Sequence, residues 1–245
     1  LVVTLGIDDM RNNTAQYERH LRPILNRLKE IDGRAPVSIM TCQVDPQDPQ
    51  LQSWLAEGLN IDAHTADHPC PCLNGGDFVK AKSTYDRCVD QLVQISNNHP
   101  VAFRFPCMDS LNTPSPRGFQ EILNRTTDEG HFLQLSSSIC VLLTPNDPEL
   151  PRELVYESPG VERFSKYVPF RDFVNVVTDY PYPFPIGGLC WEFPCAIPDD
   201  WQGQNLLGST HPVTARDYQA FADAARIKQG TANFVFHPNA WLGNE

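Results

Sequence analysis

Residues 1–33 read LVVTLGIDDMRNNTAQYERHLRPILNRLKEIDG, an apolar β-branched run followed by a stretch of helical period. Leu1 to Ile7 predicts a strand, with Asp8 and Asp9 standing where it ends. Between Thr14 and Ile31 the residues Leu21, Ile24, Leu25 and Leu28 fall at i, i+3, i+4 and i+7, one face of a helix. Pro23 kinks that helix or starts its main part, and Gly33 ends it. The same unit recurs outward from here. Val37 to Cys42 predicts a second strand, Pro49 to Glu57 a short helix closed by Gly58, and Asn60 to Ala63 a third strand. Phe78, Tyr85, Val89, Leu92 and Val93 line a helix that ends at Asn97-Asn98, and Val101 to Phe103 supplies the fourth strand. A helix is expected from Pro116 to Asn124. Prolines then crowd residues 144–198, where strands are placed only loosely at Phe132–Leu135, Phe173–Val177 and Leu189–Phe193. Near the end Thr214 caps a helix through Tyr218, Phe221, Ala225 and Ile227 to Gly230, followed by a strand from Ala232 to Phe236. Strand alternating with helix is the pattern of βα units around a parallel sheet, so the fold class is α/β.

The 245 residues suffice for one barrel-sized domain, and a single domain over 1–245 is the expectation, with a loop-rich insertion around 140–200. With 41% hydrophobic residues and no apolar run near the roughly 18 residues of a span, the composition excludes disorder and membrane insertion. A formal charge of −11 repels a phosphate backbone, so nucleic acid is not expected as a partner. Eight cysteines leave disulfides unassigned; none has paired CxxC zinc spacing, and a bridge between Cys70 and Cys72 would be strained. The chain opens on a strand without a charged n-region or cleavage site and stops eight residues after His237. Any signal peptide is therefore expected to lie outside it or to have been removed, and the domain to have been trimmed from a larger protein.

In a parallel β/α barrel the loops after the strands converge on one face, and reactive groups collect there. Four polar clusters follow predicted strands: Asp8-Asp9, His64-Thr65-Ala66-Asp67-His68, Arg104-Phe105-Pro106-Cys107 and His237-Pro238. Each alone has a bland reading as a turn, a cap or a solvated helix face; their convergence on one edge does not. Two histidines and a carboxylate make a three-ligand set that leaves positions open on a divalent ion, as a hydrolytic site requires. His64 is followed by Thr65 and not by Glu, so the general base must come from outside this motif, and the spare Asp is the candidate. His20, His99, His131 and His211 have no acid at ligand spacing and read as surface or capping groups. Gly75-Gly76 reads as a turn into the next helix.

These clusters resemble the polysaccharide deacetylases of the NodB homology fold, carbohydrate esterase family four. The correspondence runs in order through Gly6-Ile7-Asp8-Asp9, His64 to His68, Arg104 to Cys107, the Trp191 to Trp201 segment and Phe236-His237-Pro238, with the second matching completely. The resemblance implies a distorted seven-stranded (β/α) barrel and a metal-dependent hydrolase that removes N-acetyl, or O-acetyl, groups from a carbohydrate. It makes Asp8 the general base, Asp9, His64 and His68 the metal ligands, and His237 the general acid. Arg104 would orient Asp8, and Asp199 or Asp200 would tune His237. Zinc is the expected ion, with cobalt, nickel or manganese as substitutes. The resemblance also favours an extracytoplasmic or secreted protein.

Three departures bear on specificity. Met10 stands where the family often has Gly, Cys107 replaces a Tyr whose backbone N–H helps bind the oxyanion, and Phe236 replaces the Leu that receives the acetyl methyl. Cys107 reads as a free thiol beside the site. Trp191, Trp201 and Trp241 are candidates to stack on sugar faces. Two other readings compete: an amidase or cyclic-amide hydrolase acting on a small non-sugar amide, and a non-catalytic carbohydrate-binding module on the same scaffold.

Overall fold

The computed structural model describes residues 1–70, 72–73, 76–108, 115–169, 174–188, 190–208 and 213–238. Phe173, Gly75, Leu189, His211 and Trp241, which figure in the reading above, lie outside these residues. The first half follows the expected order: β1 (Val2–Met10), α1 (Thr14–Asp32), β2 (Val37–Thr41), α2 (Pro49–Glu57), β3 (Asn60–Ala63), α3 (Phe78–Val93) and β4 (Ala102–Phe103). Helix α1 buries Tyr17, Leu21 and Leu25, and its carbonyls are closed by Gly33, whose φ of 75° is open to a residue without a Cβ. At α2 the Asp48 carboxylate accepts from the Gln50 N–H, Pro49 opens the first turn, and Gly58 closes the last.

The middle meets the expectation in part, with the loosely placed strands found near their expected positions as short pieces. The predicted helix from Pro116 to Asn124 is one helical turn, α4 (Pro116–Gly118), running into a wider π-type turn at Phe119–Leu123. Short elements follow: β5 (Leu135–Ser136), β6 (Cys140–Leu142), α5 (Arg152–Val155), the hairpin β7 (Tyr156–Ser158) and β8 (Val161–Glu162), β9 (Val176–Thr178), β10 (Phe184–Ile186), β11 (Cys190–Glu192) and β12 (Cys195–Ala196). The end holds α6 (Asp200–Leu207), α7 (Val213–Ile227) and β13 (Thr231–Phe236). Thr214 is a buried first-turn residue of α7 and does not precede it.

The larger sheet has the order β10-β11-β5-β4-β3-β2-β1-β13. From β11 to β13 every neighbouring pair is parallel, which gives seven parallel strands, and β10 adds an antiparallel edge. This curled sheet is a parallel-rich α/β half-barrel, consistent with the distorted (β/α) barrel that the resemblance implies. A second parallel sheet, β12-β6-β9, stands beside it. The curl brings the two ends of the large sheet together: Asn233 of β13 donates to the Ser137 hydroxyl after β5 at 2.9 Å and to the Phe193 carbonyl after β11 at 3.1 Å. A buried apolar cluster containing Ile7, Ile39, Ile61, Phe103, Tyr85 and Trp54 lies between the first four strands and the helices that cover them. Among the described residues no helix is long and apolar enough to cross a membrane.

Candidate active site

The C-terminal ends of β1, β3, β4 and β13 bring the four polar clusters to one cavity of about 350 Å³. Its walls include Asp8, Asp9, His64, His68, Asp199, Trp201 and His237, with Cys70, Cys107, Met108, Val174 and Gln202. Several of these residues hold left-handed backbone: Asp9 (φ 70°), His68 (φ 51°), Cys107 (φ 64°) and Met108 (φ 42°), with Thr65 (φ 65°) beside them. Non-glycine residues adopt this conformation at an energetic cost, and here it is concentrated where side chains must be turned toward one point.

His64 is 1% exposed, and its Nδ1 lies 2.9 Å from the Arg104 carbonyl oxygen. A carbonyl only accepts, so Nδ1 carries the proton and, in the neutral ring, Nε2 presents a lone pair to the cavity. That Nε2 is 3.3 Å from Asp9 Oδ1, and His68 Nε2 is 2.9 Å from the same oxygen. Asp9 Oδ1 is nonetheless buried without a hydrogen bond among the described residues. Burial alone would raise the Asp9 carboxyl, but the two imidazoles outweigh it and hold the group well below the usual carboxylate range. Two ring nitrogens and an unsatisfied carboxylate oxygen, their donor atoms all within 4.8 Å of one another, make a donor set that suits a small divalent cation. The carbonyl behind His64 is the kind of outer partner that would fix an imidazole holding an ion.

Asp8 lies beside this group and is 2% exposed. Its Oδ1 is paired with Arg104 Nη1, and Oδ2 is left facing the cavity, 4.0 Å from His64 Nε2 and 3.9 Å from His237 Nε2. Arg104 is itself fully buried and donates from Nε to the Ser137 carbonyl at 2.7 Å and from Nη2 to the Ser137 hydroxyl at 2.8 Å. Its guanidinium lies against Gly6: a Cβ there would stand 2.9 Å from Nη1 and from Nη2. On the opposite wall His237 Nδ1 is 2.7 Å from Asp200 Oδ1, while Asp200 Oδ2 accepts the His237 backbone N–H at 2.7 Å. Burial lowers the His237 imidazole, but the hydrogen bond and charge of Asp200 outweigh it and the group is pushed up to about 10.

Of the two acids considered as partners of His237, Asp200 makes the contact. Asp199 caps α6 in a capping box with Gln202, and burial raises its carboxyl to about 6. Trp201 lines the cavity and is 42% exposed. Trp191, on β11, and Phe236, at the end of β13, are not among the lining residues; the Phe236 ring packs on Tyr218 with centroids 5.5 Å apart.

Cys107 is not a free thiol. It is bridged to Cys70, with Cα atoms 5.9 Å apart, because the loop after His68 and the turn after Arg104 fold toward each other across the cavity rim. His131 likewise has an acid partner: its Nδ1 is 2.8 Å from Asp90 Oδ1, since the chain after α4 returns to α3. Asp90, Glu129 and His131 bring three ligand-type atoms together, but the Asp90 oxygen there already receives His131 and the Thr127 hydroxyl. Sequence reasoning also passed over Ser137 and Met108, and it gave Gly6 a place in a motif but no role. The D-x-x-Q spacing of Asp199 and Gln202 was a legible signal for α6; Ser137 carried none.

No protein-family model matches the chain, and no curated protein matches it in sequence. Solved structures do. A crystal structure described as "putative polysaccharide deacetylase from Mycobacterium smegmatis" is 16% identical with a TM-score of 0.51, covering 97% of this chain and 76% of that one. The peptidoglycan deacetylase PdaC from Bacillus subtilis is 18% identical with a TM-score of 0.39, covering 97% and 74%. A family 4 carbohydrate esterase from Streptomyces lividans in complex with acetate is 17% identical with a TM-score of 0.32, covering 43% and 50%. The first likeness establishes a shared fold along nearly the whole chain and agrees with the resemblance read from the motifs.

Proposed function

We propose, on the shared fold and the site within it, that this chain is a metal-dependent hydrolase that removes acetyl groups from a carbohydrate. One observation carries the reading. Asp8 Oδ2 and His237 Nε2 face each other at 3.9 Å beside the Asp9, His64 and His68 group, so a base and an acid flank one place where an acyl carbon could sit. Asp9, His64 and His68 would hold the ion, zinc first and cobalt, nickel or manganese as substitutes. That ion, when bound, supplies Lewis-acid polarisation of the acyl oxygen and of a water.

The chain's own residues do the rest. Arg104 occupies Asp8 Oδ1 and leaves Oδ2 to accept the proton of the attacking water. His237 keeps its Nδ1 proton on Asp200 and offers the Nε2 proton to the departing nitrogen, which leaves as an amine and not as an amide anion. The Cys107 backbone N–H is the candidate oxyanion donor, and Trp201 the candidate platform for a sugar ring. A small non-sugar amide is the second reading; it is supported by the apolar wall of Met108 and Val174 and by the absence of Trp191 from the described residues that line the cavity.

The test measures bound metal and acetate release together on acetylated chito-oligosaccharides, acetylated xylan and a chromogenic acetate ester, with and without chelator. Chelator-sensitive release is expected, lost by on the order of 10²-fold or more in Asp8→Asn, and abolished together with metal binding in His64→Ala. Bound metal with no release from any of the three moves the weight to the small amide. Full activity in His64→Ala rejects the metal site.

A further inference from the structure

The three donors of the metal group are held in different ways. Asp9 belongs to β1, and His64, fully buried just after β3, is fixed by its ring bond to the Arg104 carbonyl and by its backbone N–H on the Thr41 carbonyl at 3.0 Å. His68 stands four residues further on, in a loop, partly exposed and with left-handed backbone. Before His68 this loop is tied to α3: the Ala66 N–H donates to the Thr84 carbonyl and the Asp67 N–H to the Thr84 hydroxyl, both at 3.0 Å. After His68 it is tied by the Cys70–Cys107 bridge to the turn that follows β4. That turn continues directly from Arg104, which holds His64 with its carbonyl and Asp8 with its guanidinium. The bridge therefore connects the loop-borne donor to the strand end that fixes another donor and the base. Both of its residues are solvent-exposed and line the cavity.

We propose that the Cys70–Cys107 disulfide is a positioning element of the metal site, holding His68 against Asp9 and His64, and that a dithiol reductant which opens it weakens metal binding in the folded protein. The proposal rests on the metal-site reading above. In the opening step a thiolate of the dithiol attacks one sulfur of the bridge, the S–S bond breaks, and the other cysteine leaves as a thiolate that takes up a proton. The second thiol of the reagent, deprotonated, then closes on the mixed disulfide and expels the remaining cysteine, which is protonated in turn. Two cysteine thiols are formed and one dithiol is oxidised to its cyclic disulfide.

Opening the bridge removes the covalent link between the loop after His68 and the turn after β4 while the α3 tie before His68 remains, and the imidazole loses the preorganisation that a rigid outer support gives a metal ligand. Zinc affinity is measured by competition with a chromophoric chelator on the oxidised parent, on Cys70→Ser/Cys107→Ser and on His64→Ala, with far-UV circular dichroism recorded on each apo protein. The double serine variant is expected to stay folded and bind zinc roughly 10- to 100-fold more weakly than the parent, with a changed visible spectrum when cobalt replaces zinc. An affinity within about twofold of the parent, with His64→Ala still unable to bind, overturns the positioning role and leaves the metal site standing. A parent that binds no zinc overturns both. If the double variant does not fold, the same titration on protein reduced, alkylated at its exposed thiols and freed of reductant decides in the same way.

Discussion

Arg104 is the residue on which the proposed base, Asp8, would depend, and a buried guanidinium must be fully satisfied or it destabilises the fold. It is satisfied by Asp8 and by two oxygens of Ser137, and the space it occupies exists because residue 6 has no side chain. Gly6→Ala is expected to push the guanidinium off Asp8, costing about 1–3 kcal/mol of stability in chemical denaturation. It should lower kcat more than KM, since substrate still binds while the base is misaligned. At the acid side, His237 is charged until the pH nears about 10, and a general acid works only while it holds its proton. The rate should therefore fall on the alkaline side near that value, and Asp200→Asn should draw this limb down toward the ordinary 6.5 of an imidazole. An unchanged alkaline limb in Asp200→Asn would remove His237 from the acid role. That Asp8, Asp9, His64, His68 and His237 meet at one cavity was legible in the sequence, because their clusters stand at the ends of recognisable strands. The choice of Asp200 over Asp199 was not, since it turns on which carboxylate reaches the His237 ring as α6 begins.

At the scale of elements, legibility followed local chemistry. Helix α2 was read to its bounds because Pro49 and Gly58 mark its two ends with their own backbone preferences, and the structure adds the Asp48 cap. Asp48→Ala should cost about 1 kcal/mol in thermal or denaturant unfolding, with the loss of the Thr14 hydroxyl contact adding to it. The strands β5, β6, β9 and β11 have two or three residues each. Runs that short carry no periodicity, and they exist because the sheet supplies partners for their backbone groups. The π-type turn after α4 escaped notice for a similar reason: its apolar spacing is that of a helix, and the wider hydrogen bond from Asn124 N–H to the Phe119 carbonyl is set by how the segment packs.

For the whole molecule, the buried carboxyl of Glu192 makes stability respond to pH. Its Oε1 accepts the backbone N–H groups of Ser138 at 2.7 Å and Ile139 at 2.9 Å, and burial pushes it from 4.5 to about 7. A folded-state value above the unfolded one means that the folded protein binds this proton more tightly. The contribution to stability is thus fully present below about 4.5 and is lost as the pH rises through about 7. Glu192→Gln keeps the acceptor and removes the titration, so denaturant midpoints measured from pH 4.5 to 7 should fall less steeply in the variant than in the parent. Equal slopes would show that Glu192 does not contribute.

The amino-acid sequence by itself determined the α/β class, the strand-and-helix order of the first hundred residues and which polar clusters follow strands and so meet at one edge. Those follow from local periodicity, capping residues and the habit of βα loops to gather at one edge. Only the tertiary structure decided that the antiparallel β10 edges the curled sheet, that Cys70 pairs with Cys107, and that Asp200 stands behind His237. Each of these joins residues tens of positions apart, and a chain read one residue after another holds no distance between them until the sheet has closed.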